Sequence, residues 1–190
     1  MQYISFYKHI VMILFIGMLH AAQEEINFYA DSWALLIGIN EYQFEKPLNY
    51  AVADAEEMQR LLVEKLGFPE KNIEILLDDN ATLNGIKKSM QKLAENTSEN
   101  DRVLIYFAGH GMTQPLPSGG EEGYLIPING KSSDLFSTSI PMSEMNRLSN
   151  MTPAKDMLFL MDACYSGLMG VGSRGLDLDA NTPNYLKKIS

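Results

Sequence analysis

Four short and almost wholly apolar runs recur along the chain: Trp33–Ile39, Ile73–Leu77, the run from Val103 that leads to His110, and the run from Met157 that leads to Cys164. Continuous apolar runs of this length predict strands buried on both faces, as in a parallel sheet. Between the first two runs the period lengthens. Ala51, Ala55, Met58, Leu61, Leu62 and Leu66 recur at helical spacing, and Gly67 is placed to end that helix. After Ile73–Leu77, Asp78-Asp79-Asn80 predicts a turn, and Leu83, Ile86, Met90 and Leu93 mark a second amphipathic helix capped by Thr82. Strand, helix, strand, helix, strand in this order predicts a parallel α/β sheet covered by helices. Between Met112 and Ser139 the chain is rich in Gly, Pro, Ser and acids, with one apolar piece at Tyr124–Ile128. It reads as a long cleft-lining loop with a small hairpin, followed by a short helix near Met142–Leu148. From Met169 to Ser190 the sequence is linker-like.

Composition changes this picture in two places. With 190 residues, 46% of them hydrophobic, the chain is long enough for one domain with a substantial core. A net charge of −9 excludes a broad phosphate-binding surface, so no nucleic-acid partner is expected. Lys8 and His9, the apolar segment Ile10–Leu19 and the small residues Ala21 and Ala22 make residues 1–22 a secretory signal peptide. An exported protein, secreted or periplasmic, is therefore expected; membrane attachment follows only if the segment stays as an uncleaved anchor. Three Asn-X-Ser/Thr sequons, at Asn80, Asn96 and Asn150, are short enough to arise by chance.

Past the leader the chain keeps one histidine, His110, and one cysteine, Cys164, each at the end of an apolar run. Open α/β sheets carry their chemistry at the carboxyl ends of strands. A lone cysteine can be a small buried hydrophobe and cannot form an intramolecular disulfide. As a nucleophile it needs a base, because an ordinary thiol is mostly protonated at neutral pH, and an imidazole can take that proton and return it to a leaving amine. One His and one Cys are too few for a zinc site, so no metal is assigned. Gly109 and Gly111 flank His110 without side chains, leaving the amides of Gly111 and Cys164 as candidate donors to an oxyanion. The alternative is that Gly-His-Gly is an ordinary turn after a strand.

Tyr106-Phe107-Ala108-Gly109-His110-Gly111 together with Asp162-Ala163-Cys164-Tyr165-Ser166-Gly167 closely resembles the caspase-like cysteine peptidases, particularly metacaspases and their bacterial relatives. The resemblance spans about Trp33 to Gly167, and includes Leu48-Asn49-Tyr50-Ala51-Val52-Ala53-Asp54-Ala55 at the start of the first helix. It implies a caspase-like three-layer α/β/α sandwich with a mostly parallel central sheet, about four of whose main strands this chain supplies. Residues 31–168 would form the large-subunit peptidase domain and 169–190 a tail open to processing at Arg174, Lys187 or Lys188. The remaining strands would come from a downstream small subunit of a processed precursor, from another chain, or from sequence missing by truncation. By the same resemblance Cys164 is the nucleophile, His110 the acid and base, and Asp54 and Asp162 line a pocket for Arg or Lys. Charge-assisted hydrogen bonds from such carboxylates would favour a cationic side chain and repel an anionic one. Each acid also has a local reading: Asp54 in the first turn of a helix, Asp162 as a strand-end acceptor of backbone hydrogen bonds. Many metacaspases require calcium. Here Glu121, Glu122 and Asp134 are available, but Ser137-Thr138-Ser139 stands where further acids would be expected, and the sequence requires no cofactor. The expected function is a cysteine endopeptidase acting on proteins or peptides with basic residues. A catalytically silent caspase-like interaction module is the alternative, and an esterase or amidase of small molecules a third.

Overall fold

Strand β1 (Ser32–Gly38) carries Leu35 and Ile37 on one face and Ala34 and Leu36 on the other; β3 (Arg102–Pro115) does the same with Val103, Ile105 and Phe107 against Leu104, Tyr106 and Ala108. Both faces are covered, which is why these runs are apolar at every position. Helix α1 (Ala51–Glu64) packs Ala51, Ala55 and Leu62 on the second face. Helix α2 (Leu83–Asn96) packs Ile86, Met90 and Leu93 on the first. The result is three layers, helix on sheet on helix, and each fully buried Leu or Ile contributes about 1.5–3 kcal/mol. The computed structural model describes residues 28–165. The proposed leader lies outside them, as do the tail 169–190 and its Arg174, Lys187 and Lys188.

The remaining strands are β2 (Ile73–Leu77), β4 (Glu121–Leu125), β5 (Ile140–Pro141) and β6 (Asp156–Tyr165), with the short helix α3 (Leu135–Thr138) and α4 (Ser143–Met151) between the last three. The sheet runs β2-β1-β3-β4-β5, and β6 also pairs with β3. The β1/β2, β1/β3 and β3/β6 ladders are parallel, whereas β3/β4 and β4/β5 are antiparallel. The four main strands are thus those expected; the end of β3 and β4 form the small hairpin, and β5 pairs along the far side of β4. Helix α4 lays Met145 and Leu148 on the same face as α2.

Local signals behave as the sequence predicts at Thr82 and Gly67, and the structure adds a third at Gly38. Thr82 accepts a hydrogen bond from the Gly85 amide at 3.0 Å and starts α2. Gly67, at φ 68°, turns the chain after α1 so that the Phe68 amide reaches the Leu62 carbonyl at 2.9 Å. At Gly38 a Cβ would lie 2.5 Å from the Ala51 carbonyl oxygen and 2.8 Å from the Ala55 Cβ, so glycine is what lets α1 begin directly on the end of β1.

One expectation is corrected. His110 does not end its strand, and Gly-His-Gly is not a turn: β3 continues to Pro115, pairing Gly111 with Leu125, Met112 with Tyr124 and Thr113 with Gly123. Glycine's preference for turns is a weak local term, and the antiparallel ladder with the buried Tyr124 and Leu125 outweighs it. The stretch expected as loop also holds α3, started by Asp134, whose carboxylate accepts from the Ser137 amide at 3.3 Å.

Candidate active site

Strand β3 changes neighbour along one edge only. Along the other edge β6 pairs in register from Arg102↔Asp156 to Gly111↔Tyr165, which sets His110 directly opposite Cys164. Neighbouring strands lie about 4.8 Å apart, so the two backbones meet at that spacing. The ladders with β4 and β6 both include Gly111, so β4 must lie on the opposite edge, the one β1 occupies from Arg102 to Ala108. Between the end of β1 and the start of β4, the peptide groups of His110 need other partners. Its carbonyl accepts from the Ile126 amide at 2.9 Å, and its amide donates to the Tyr42 hydroxyl oxygen at 2.8 Å.

Tyr42 comes from the loop that links β1 to α1, and that loop is tied down at several points. The Asp78 carboxylate, at the end of β2, accepts from the amides of Asn40 at 2.7 Å and Glu41 at 3.0 Å. Asp78 itself sits at φ 39°, in the left-handed region that most side chains avoid. Further along, the Gln43 amide donates to the Ile128 carbonyl, the Leu48 amide to the Asn40 carbonyl, and the Ser132 amide to the Glu45 carboxylate.

The loop so held delivers two groups to the imidazole of His110. Its Nε2 lies 2.8 Å from the carbonyl oxygen of Lys46. A carbonyl can only accept, so Nε2 carries the proton and Nδ1 keeps the basic lone pair. The Tyr42 ring packs against the imidazole with centroids 4.6 Å apart and planes 46° apart. Burial holds the Tyr42 phenol well above its ordinary range, opposed by the hydrogen bond from His110 and reinforced by the Asp78 and Glu45 carboxylates; the group is a neutral phenol.

Beside Gly109 opens a cavity of about 240 Å³, with Leu48, Tyr50, Asp54, Ala108 and Asp162 among its walls. The structure therefore brings together the two acids that lie far apart in sequence. Tyr106 donates its hydroxyl to the pocket's Asp162 at 3.5 Å. Its pKa is pushed up to about 12, first by burial and then by the charges of Asp162 and Asp54. Asp54 also stands in the first turn of α1, its amide bonded to the Tyr50 carbonyl at 2.8 Å, so its local role and its place in the pocket coexist.

Other candidates are not gathered. Glu122 accepts from the Ser143 amide at 3.0 Å, and Asp134 is engaged at the start of α3. Among the described residues no three acids, histidines or cysteines cluster around a common point, Glu121, Glu122 and Asp134 included. Two groups here escape sequence reasoning. Tyr42 carried a faint signal, as a large polar aromatic just past a strand end; the Lys46 carbonyl carried none, because every residue has one.

The chain matches the Caspase domain family over residues 31–184. It is 32% identical over 146 residues to Metacaspase-6 of Arabidopsis thaliana, covering 70% of this chain and 38% of that one. To Metacaspase-1A of Aspergillus oryzae it is 29% identical over 146 residues, covering 70% and 34% respectively. The chain thus spans about a third of the length of these curated relatives. Its fold is similar to the crystal structure of protein GSU0716 from Geobacter sulfurreducens, with a TM-score of 0.59 and 23% identity over 72% of this chain and 52% of that one.

Proposed function

The chain belongs to the caspase-domain family of cysteine peptidases, and from that premise we propose that it is an endopeptidase that cuts after Arg or Lys through Cys164 and His110. The observation that carries this reading is the register pairing of His110 with Cys164, joined to an imidazole whose Nε2 is fixed on the Lys46 carbonyl. Nδ1 of His110 takes the thiol proton, and the thiolate attacks the scissile carbonyl carbon. The resulting oxyanion is stabilised by the amides of Gly111 and Cys164. As the tetrahedral species collapses, the C–N bond breaks and His110 gives its proton to the departing amine. A thioester remains on Cys164. Water, deprotonated by the same imidazole, attacks it, and release of the acid restores the thiol.

Selection at the cleaved residue falls to Asp54 and Asp162. Two carboxylates on one small cavity suit an ammonium or guanidinium and repel a carboxylate. The partners are then proteins or peptides with basic residues, and Arg174, Lys187 and Lys188 are the positions at which such an enzyme would process its own tail. A small subunit would lie along the free edge of β6, where Leu158 is exposed and no further strand pairs among the described residues. Export through the leader 1–22 completes the reading.

The test is a set of reporter amides with Arg, Lys or Asp before the scissile bond, assayed with the full chain and with Cys164→Ala. Cleavage of Arg and Lys reporters that vanishes in the variant is expected. Equal or faster cleavage of Asp reporters would overturn the pocket assignment. An Arg-directed electrophilic peptide that labels Cys164 no faster than a free thiol would mark a silent interaction module instead.

A further inference from the structure

Tyr42 stands at a junction that neither packing nor the proposed chemistry by itself requires. It touches two apolar clusters, one under α2 and one around Tyr124, Ile126 and Leu135. Its hydroxyl fills the break between β1 and β4, where it accepts the amide hydrogen of His110. Its ring contacts the imidazole of the same residue. Gly109 completes the fit: a Cβ there would lie 2.5 Å from the Tyr42 hydroxyl oxygen, so the absent side chain is the space the phenol occupies.

We propose that Tyr42 is a positioning residue for the base: through one hydrogen bond and one ring contact it fixes both the backbone and the imidazole plane of His110 opposite Cys164. A phenylalanine would keep the ring contact but leave the His110 amide without its acceptor. An amide deprived of its partner recovers it by moving, and the movement available is a shift of β3 between Gly109 and Gly111, two residues without side chains to resist it. Nδ1 would then spend less time aligned on the thiol. The Lys46 carbonyl does not replace this control, because a single bond at Nε2 leaves the ring free to swing about it.

The inference rests on the assignment of His110 as the base of Cys164, and the experiment separates the two. Cys164 is the sole cysteine of the chain, so its alkylation by iodoacetamide can be followed by mass spectrometry without substrate. His110→Ala should slow alkylation at pH 7 strongly; if it does not, the base assignment itself fails. Given that slowing, Tyr42→Phe should slow alkylation and lower kcat on an Arg reporter by about 3- to 10-fold with KM unchanged, the size expected for one orphaned amide. The imidazole ¹⁵N resonances of His110 should broaden or shift toward a mixture of tautomers. A normal rate and spectrum in Tyr42→Phe, with His110→Ala slow, would overturn the positioning role alone.

A double-substitution cycle guards against simple misfolding. Gly109→Ala should slow alkylation in the native background by displacing the phenol, yet be milder when Tyr42→Phe has removed the oxygen it collides with. Additive effects would refute the proposed fit. Phe107, whose ring atoms lie 3.0 Å from the same Cβ position, gives the residual cost in both backgrounds.

Discussion

Replacing Asp78 tests how the site's loop is anchored. Its carboxylate accepts two consecutive amides, at 2.7 and 3.0 Å, and its backbone sits at φ 39°. The Asn40 amide is half-buried, so losing its acceptor costs about 1–2 kcal/mol; the exposed Glu41 amide can turn to water and costs little. Alanine in the left-handed region adds about 1 kcal/mol, because its Cβ crowds the following carbonyl and no short polar side chain compensates. Asp78→Ala should therefore destabilise the fold by about 2–3 kcal/mol, a fall in Tm of roughly 6–12 °C for a domain of this size. Asp78→Gly relieves the backbone but loses the acceptor, and should fall between alanine and the native protein. Asp78→Asn keeps an oxygen and tolerates the left-handed conformation, so it should lose least, about 1 kcal/mol or less. The assay is thermal unfolding followed by circular dichroism at pH 7, with urea midpoints as a second measure. An asparagine variant as unstable as alanine would show that charge, and not the acceptor and backbone geometry, is what matters. Glycine more stable than the native protein would show that the clamp contributes nothing.

Three other changes have equally direct outcomes. Asp162→Asn should lower kcat/KM on Arg reporters by about 10- to 100-fold, the worth of one charge-assisted hydrogen bond, while leaving the alkylation rate of Cys164 unchanged; a fall in both would move Asp162 from selection to catalysis. Tyr106 ionises near 10 in an unfolded chain and at about 12 here, so its contribution is intact below pH 10 and is lost as pH rises toward 12. Tm measured from pH 9 to 11.5 should drop less steeply in Tyr106→Phe, and identical slopes would dismiss that linkage. Gly38→Ala should destabilise by about 1–3 kcal/mol in urea unfolding, because the Ala51 carbonyl and Ala55 leave no room for a methyl; an unchanged midpoint would mean that α1 can withdraw freely.

The layered fold was legible because burial writes itself into composition. Leu35 and Leu36, or Leu104 and Ile105, face opposite helices, and only apolar residues suit both sides. Thr82 and Gly67 were readable for the same kind of reason, each answering a local backbone need. The hairpin was half legible, since Tyr124 and Leu125 signalled a strand while Gly109 and Gly111 suggested that β3 would stop. Pairing across strands is a long-range term that local preference does not contain. The site divided along the same line. Imidazole, thiol and carboxylates are rare or charged and announce themselves, whereas the Lys46 carbonyl and the Asp78 clamp exist only once the loop has been folded over the sheet.

The parallel pairing of β3 with β6 also imposes an order on biosynthesis. Everything described that orients the imidazole, from Tyr42 and Lys46 to Asp78, Ile126 and Ile128, leaves the ribosome before Cys164 does. The β1/β3 seam can close on that earlier chain, so a nascent molecule can hold His110 in place before Cys164 has emerged. Docking of the last described strand is then the step that sets Cys164 opposite His110. A slip of one residue in that docking would set His110 against Ala163 or Tyr165, on the wrong alternation of the pleat. Under the proposed Cys164–His110 chemistry, hydrolytic power would arrive late and all at once, as a property of one correctly registered strand.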